Sequence, residues 1–166
     1  MSKLILLTGH ISSGKTVYAK ALAAKRGYRY LSIDNAYAII NGSDTCRDNK
    51  FEVWELLNRQ IHTAEYLYQD VIVDVNAPTP DDRNYFLNMF PNFGEYHLLW
   101  IDCAPATCLE NNRKRDRIVP EEHMNRMFKF YVFPQKNEDR YARRRWDSMT
   151  RVYNDGEHFK VENTHS

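Results

Sequence analysis

Gly9-His10-Ile11-Ser12-Ser13-Gly14-Lys15-Thr16 decides how this sequence is read. Two glycines bracket four variable positions and a Lys-Thr pair follows, the spacing of a phosphate-cradling loop of the Walker A type. Each residue type has a chemical reason. Gly9 and Gly14 permit a tight path and a close approach, and backbone N–H groups at a helix start suit an anion. Lys15 is placed to reach β- and γ-phosphates, and Thr16 to set its hydroxyl on magnesium. His10, Ile11, Ser12 and Ser13 contribute loop backbone, with His10 read as filler within reach of the ligand. The flanks agree with the motif. Leu4–Leu7 is a continuous apolar run, as a central parallel strand requires, and 15–26 is a helix-forming stretch with Gly27 as its C-cap. A chance pattern in a glycine turn would not supply both flanks.

Working outward, short apolar runs alternate with helical stretches, which is the α/β signature. Tyr30–Ile33 is a second strand ending at Asp34, Val71–Val75 a third, and His97–Ile101 a fourth. A long amphipathic helix is expected over 51–69. Pro80-Asp81-Asp82, Pro105 and Pro120-Glu121-Glu122 each open a helix, with Pro at the first position. Beyond Trp146 only Phe159–Val161 reads as a further short strand. These elements predict one three-layer α/β/α domain over 1–166, with a mainly parallel sheet of about five strands. No apolar run approaches the roughly 18 residues of a membrane span. Cys46, Cys103 and Cys108 show no metal-ligand spacing, and are expected as reduced thiols of a cytoplasmic protein without a signal peptide.

Charge is distributed unevenly. Residues 113–151 hold 12 Lys/Arg against 6 Asp/Glu, whereas 1–112 hold 10 against 13. The basic stretch suits an anionic ligand, phosphate or nucleic acid, or else forms a solvated helical face. Within it, Arg113-Lys114-Arg115-Asp116-Arg117 is suited to clamping a phosphoryl group from a mobile lid. Arg143-Arg144-Arg145 beside Trp146 would suit a nucleic-acid strand, or again a solvated face. Two aspartates stand out. Asp34 is placed either to take a proton from an attacking hydroxyl or to cap the next helix. Asp74 is placed to hold magnesium or to contact the acceptor, with Asp102 a weaker rival. Tyr37 and Trp54 are candidates for lining an acceptor pocket.

Four segments in order, GHISSGKT, SIDNAY around Asp34, IVDVNAPTPDDR from Ile72 to Arg83, and CLENNRKRDRIVPEEHMNRMFKFYVFP from Cys108 to Pro134, carry a resemblance. The chain resembles the phage-type 5′-hydroxyl polynucleotide kinases, within the group of small P-loop kinases that includes zeta-toxin-like enzymes. The resemblance implies the P-loop NTPase fold, with a helical lid over about 111–134, and ATP and magnesium as cofactors. It implies Lys15 and Thr16 on phosphates and magnesium, Asp34 as general base, Arg115 on the donor phosphates, and Arg113 and Arg117 near them. Asp74 and Arg83 fall in the motif that lines the acceptor and phosphate region. Two positions depart from the pattern. Tyr37 stands where the family carries an arginine that grips the acceptor's phosphate, and Asn111 replaces the earlier lid arginine. The chain is also too short for the phosphatase domain that accompanies some of these kinases.

The expected function is therefore transfer of the γ-phosphate of ATP to a polynucleotide hydroxyl, foremost the 5′-hydroxyl of DNA or RNA. Three alternatives share the donor site. One is a DNA base kinase acting on 5-hydroxymethyluracil, where Tyr37 would stack on a base. Another is a nucleoside, nucleotide or sugar-nucleotide kinase. The third is a slowly hydrolysing NTP-binding switch, which the basic segment and Asp34 argue against.

Overall fold

The computed structural model describes residues 2–163; Met1 and 164–166, the ends of the expected 1–166 domain, lie outside the described residues. Strand β1 (Lys3–Gly9) is buried along its length after Lys3, as a mainly apolar strand between two parallel neighbours must be. On one side lies β3 (Val71–Asp74), in parallel register Leu4↔Val71 and Leu6↔Val73. On the other lies β4 (Glu95–Cys103), paired from Lys3↔Glu95 to Gly9↔Ile101. Strand β2 (Arg29–Ser32) joins outside β3, which brings Ser32 level with Asp74.

Beyond β4 runs β5 (Ser148–Asn154), also parallel, and β6 (Phe159–Asn163) returns antiparallel along it. The sheet thus has six strands in the order β2-β3-β1-β4-β5-β6, one more than the sequence indicates. The addition is β5, whose SMTRVYN sequence is mixed in polarity and mostly half-buried. It is recruited by tertiary pairing, reinforced by Arg151, which bonds Asp102 on β4 and Glu162 on β6.

The strands' period-two alternation builds two cores. Ile5, Leu7, Ile72, Leu99, Ile101 and Val152 face α1 (Lys15–Arg26), through Ala19 and Ala23. Leu4, Leu6, Val71, Val73, Tyr96 and Leu98 face the opposite layer. That layer contains α2 (Ile33–Asn41), α3 (Lys50–Tyr66) and α4 (Pro80–Met89). The start of α4 obeys its sequence signals closely. Thr79 Oγ1 accepts from Asp82 N and the Asp82 carboxylate accepts from Thr79 N, a reciprocal capping box with Pro80 beside it. Trp54 and Trp146 also pack into this core, and Trp146 is 6% exposed. Burial removes Trp146 from any base-stacking role. Arg144 lies over the ring of Tyr96, near the start of β4, so Arg143–Arg145 sit at the end of the sheet away from the glycine loop.

The remaining helices are α5 (Pro105–Arg113) and α6 (Glu121–Phe130). They pack together through Cys108 and Met124, with Ile11 of the glycine loop against them. The segment after α6, expected as the end of a mobile lid, is firmly anchored. Val132 N donates to Pro78 O, and the Tyr131 hydroxyl pairs with Thr8 Oγ1 at 2.8 Å. His10, expected as loop filler, packs its ring against Phe128 and Tyr131 at 4.9 and 4.7 Å. Burial, and secondarily Lys15, pushes the His10 imidazole below its ordinary pKa.

Arg83 corrects a further expectation. It is fully buried and does not border the cleft. Its Nε and Nη2 grip Glu138 at 2.7 and 3.0 Å, while Nη1 and Nη2 donate to Ala77 O and Val132 O. The pair clamps the segment after α6 to the loop after β3. Removing one member strands the other charge in the interior, so Arg83→Met should cost about 3–5 kcal/mol in urea unfolding. Arg83→Met combined with Glu138→Leu should recover most of that loss, because no lone charge remains.

Candidate active site

The carboxyl ends of β1, β2 and β3 meet at one edge, where open α/β sheets bind ligands. There β1 runs into the glycine loop. A Cβ on Gly9 would lie 2.6 Å from Ile101 O, so the loop can leave the sheet only at glycine. Gly14 has φ +93, and a Cβ there would meet Asn154 Nδ2 at 2.9 Å and Phe159 at 3.1 Å. The loop is braced from outside by Asn154 and Asn111, whose side-chain amides donate to Ser13 O and Ser12 O. Its N–H groups open α1.

A cleft of about 1090 Å³ lies over this edge. It gathers Ile11, Ser12, Gly14, Lys15 and Thr16 of the loop with Asp34, Tyr37, Asp74, Arg115 and Arg117. Lys15 is buried, and its ammonium donates to His10 O at 2.9 Å and Gly9 O at 3.3 Å. Burial pushes its pKa down, opposed chiefly by Asp74. Two carbonyl dipoles are weak compensation for a buried cation, which leaves Lys15 suited to an incoming phosphate. Ser13 Oγ is likewise buried with no partner among the described residues.

Thr16 Oγ1 donates to Asp74 Oδ2 at 2.8 Å, and the Tyr30 hydroxyl donates to the same oxygen. Burial, with the Asp74 charge next, pushes the Tyr30 phenol well above its ordinary pKa. Thr16 and Asp74 together present hard oxygen donors. Magnesium fits such a site, since it keeps several waters and needs only one or two protein groups beside a phosphate. Asp102, the rival for this place, is held by Arg151 at 2.7 Å instead.

Asp34 lies not at a strand end but in the first turn of α2, because Ser32 takes the N-cap and accepts from Asn35 N at 3.0 Å. With capping done by Ser32, the Asp34 carboxylate is available to the cleft. It pairs with Arg47 Nη2 at 2.8 Å and lies 4.0 Å from Arg117 Nη2. Arg115 instead turns to the loop, donating to Ser12 Oγ at 3.0 Å. Arg113 does not line the cleft; its side chain is 65% exposed and faces Glu121.

Sequence reasoning missed Arg47, Tyr30 and Asn154. Arg47 sits in a polar segment between α2 and α3 that carries no motif. Asn154 ends β5, which was itself illegible.

A parallel sheet carrying a glycine loop with a buried lysine, beside a Thr-Asp pair and a basic segment between α5 and α6, defines a P-loop phosphotransferase. The family model for the AAA domain AAA_33, a P-loop kinase group, matches residues 4–134, and the chain belongs to that family. No curated protein sequence matches the chain. Among solved structures, it is similar to a gluconokinase from Sinorhizobium meliloti 1021 at 15% identity and TM-score 0.60, covering 91% of this chain and 82% of that one. It is similar to a chain of the Pnkp1/Rnl/Hen1 RNA repair complex at 12% identity and TM-score 0.69, covering 78% and 43%. A shikimate kinase from Bacteroides thetaiotaomicron is similar at 20% identity and TM-score 0.52, covering 76% of each chain. At these identities the likeness concerns the fold. No helix among the described residues is long and apolar enough to cross a membrane.

Proposed function

We propose that this P-loop kinase moves the γ-phosphate of ATP to the 5′-hydroxyl of a polynucleotide. The observation that carries the reading is the lining of one cleft, which joins the glycine loop to Asp34 and also holds Arg47, Lys50 and Arg117. Such a basic flank suits a phosphodiester chain entering beside a proton acceptor. The similarity to a chain of an RNA repair complex supports the same reading.

Asp34 accepts the proton of the attacking hydroxyl. The acceptor oxygen forms its bond to Pγ as the bond from Pγ to the β-bridging oxygen breaks, and its electron pair leaves with ADP. Lys15 and Arg115 hold the phosphates and offset the charge on the transferring group. Thr16 and Asp74 would hold magnesium, which would supply positive charge to the transferring phosphate. Asn111 and Asn154 keep the loop carbonyls oriented, so its N–H groups face the phosphates. Asp74→Asn should lower activity or magnesium affinity roughly 10–100-fold, read as a rightward shift of the magnesium titration curve.

The test is transfer of γ-phosphate label to two DNA oligonucleotides, with Lys15→Ala protein as the blank. One oligonucleotide has a free 5′-hydroxyl; the other has a blocked 5′-end and internal 5-hydroxymethyluracil. Label on the first alone is expected. Label on the second alone identifies a DNA base kinase, and label on neither transfers the assignment to a small-molecule acceptor.

A further inference from the structure

Arg47, Lys50 and Arg117 line the cleft together with Asp34 and Asp44. The two arginines nearest Asp34 come from unrelated parts of the chain. Arg47 follows α2, and Arg117 lies in the basic stretch between α5 and α6. Both approach the same Asp34 oxygen, Oδ1, at 2.8 and 4.0 Å. Arg47 is also laid over Tyr37, its Cζ 4.3 Å from the ring centroid. Tyr37 is 6% exposed and so forms a fixed floor for the guanidinium.

Each guanidinium carries five N–H donors. Among the described residues Arg47 donates one hydrogen bond, to Asp34, and Arg117 makes none within hydrogen-bond distance. Most donors in the pair are therefore unused, and both side chains are accessible at 35% and 28%. A half-exposed ion pair such as Asp34–Arg47 is weak and readily exchanged. A phosphate, with three acceptor oxygens, matches the arginine fork better than one shared carboxylate oxygen does.

We propose that Arg47 and Arg117 form an anion seat beside Asp34, and that a phosphate neighbouring the acceptor's hydroxyl occupies it and draws Arg47 off the carboxylate. The base and the seat are then linked. While the seat is empty, Arg47 holds the Asp34 carboxylate through Oδ1. When phosphate arrives, Arg47 turns to it and Asp34 is released for the hydroxyl. An acceptor without an anion leaves the base engaged and is poorly used. The seat rests on the reading of Asp34 as the acceptor-side base, and on no particular length of polynucleotide.

A binding experiment separates the seat from the reaction. Protein saturated with magnesium and a non-hydrolysable ATP analogue is titrated calorimetrically with thymidine and with thymidine 3′-monophosphate. The monophosphate should bind about tenfold tighter. Arg47→Ala should abolish that preference, and Arg117→Ala should reduce it. Asp34→Asn should tighten the monophosphate while lowering transfer by about 10²–10⁴-fold, a combination that a merely structural Asp34 would not produce. Equal affinity for the two ligands, or a preference unchanged in Arg47→Ala, overturns the proposal. So does an Arg47-dependent preference seen only for gluconate over glucose, which would make the seat a carboxylate site. Arg47-dependent phosphate binding without labelling of any oligonucleotide supports the seat and counts against the polynucleotide acceptor.

Discussion

Lys15→Ala is expected to lower kcat/KM for phosphate transfer by about 10²–10³-fold or more, the scale seen when one preorganised donor to a developing charge is removed. The same change should leave the unfolding midpoint unchanged or slightly raised. Lys15 is buried with its ammonium on two backbone carbonyls, and burial already drives its pKa down. A cation so poorly compensated costs stability in the absence of phosphate, so deleting it relieves a desolvation penalty. Loss of activity with a retained or raised midpoint separates a phosphate-binding lysine from a structural one. A clear drop in the midpoint would mean that Lys15 holds the loop together, and its place on the phosphates would have to be abandoned.

Asp34→Asn is expected to lower kcat by about 10²–10⁴-fold with little change in KM for ATP, as removal of a general base does. The amide keeps the size of the side chain and leaves Ser32 capping α2, so the helix should stay in place. Only proton acceptance and the charge facing Arg47 and Arg117 are altered. Single-turnover kinetics with excess enzyme would isolate the transfer step from product release. A variant that keeps wild-type turnover would show that the hydroxyl gives its proton to solvent and that Asp34 serves only to hold Arg47.

The largest part of the site that was readable from sequence is local. The glycine loop must follow a strand and open a helix, and Lys15 and Thr16 are fixed by their positions in it. Helix α1 ends and α5 begins as their sequences indicate, because Gly27 and Pro105 act on the backbone next to them. Asp74 was legible as a charge at the end of an apolar strand, and it does bond Thr16. The basic 113–117 run does lie in part over the cleft, through Arg115 and Arg117, while Arg113 faces outward.

What escaped the sequence depended on partners far along the chain. Strand β5 is half-buried and mixed in polarity, so its pairing with β4 decides its conformation, not its own residues. Arg83 and Arg47 are both lone arginines near acidic neighbours, with nothing in their composition to tell them apart. Glu138, 55 positions away, draws Arg83 into the interior, whereas Tyr37 and Asp34 hold Arg47 at the mouth of the cleft. Sequence alone therefore determined the glycine loop and the parallel α/β plan, since backbone geometry and apolar periodicity act over a few residues. Tertiary structure alone decided which charges are struts and which face the cleft, because a charge takes its role from its nearest counter-charge and its burial, and both are set by contacts distant in sequence.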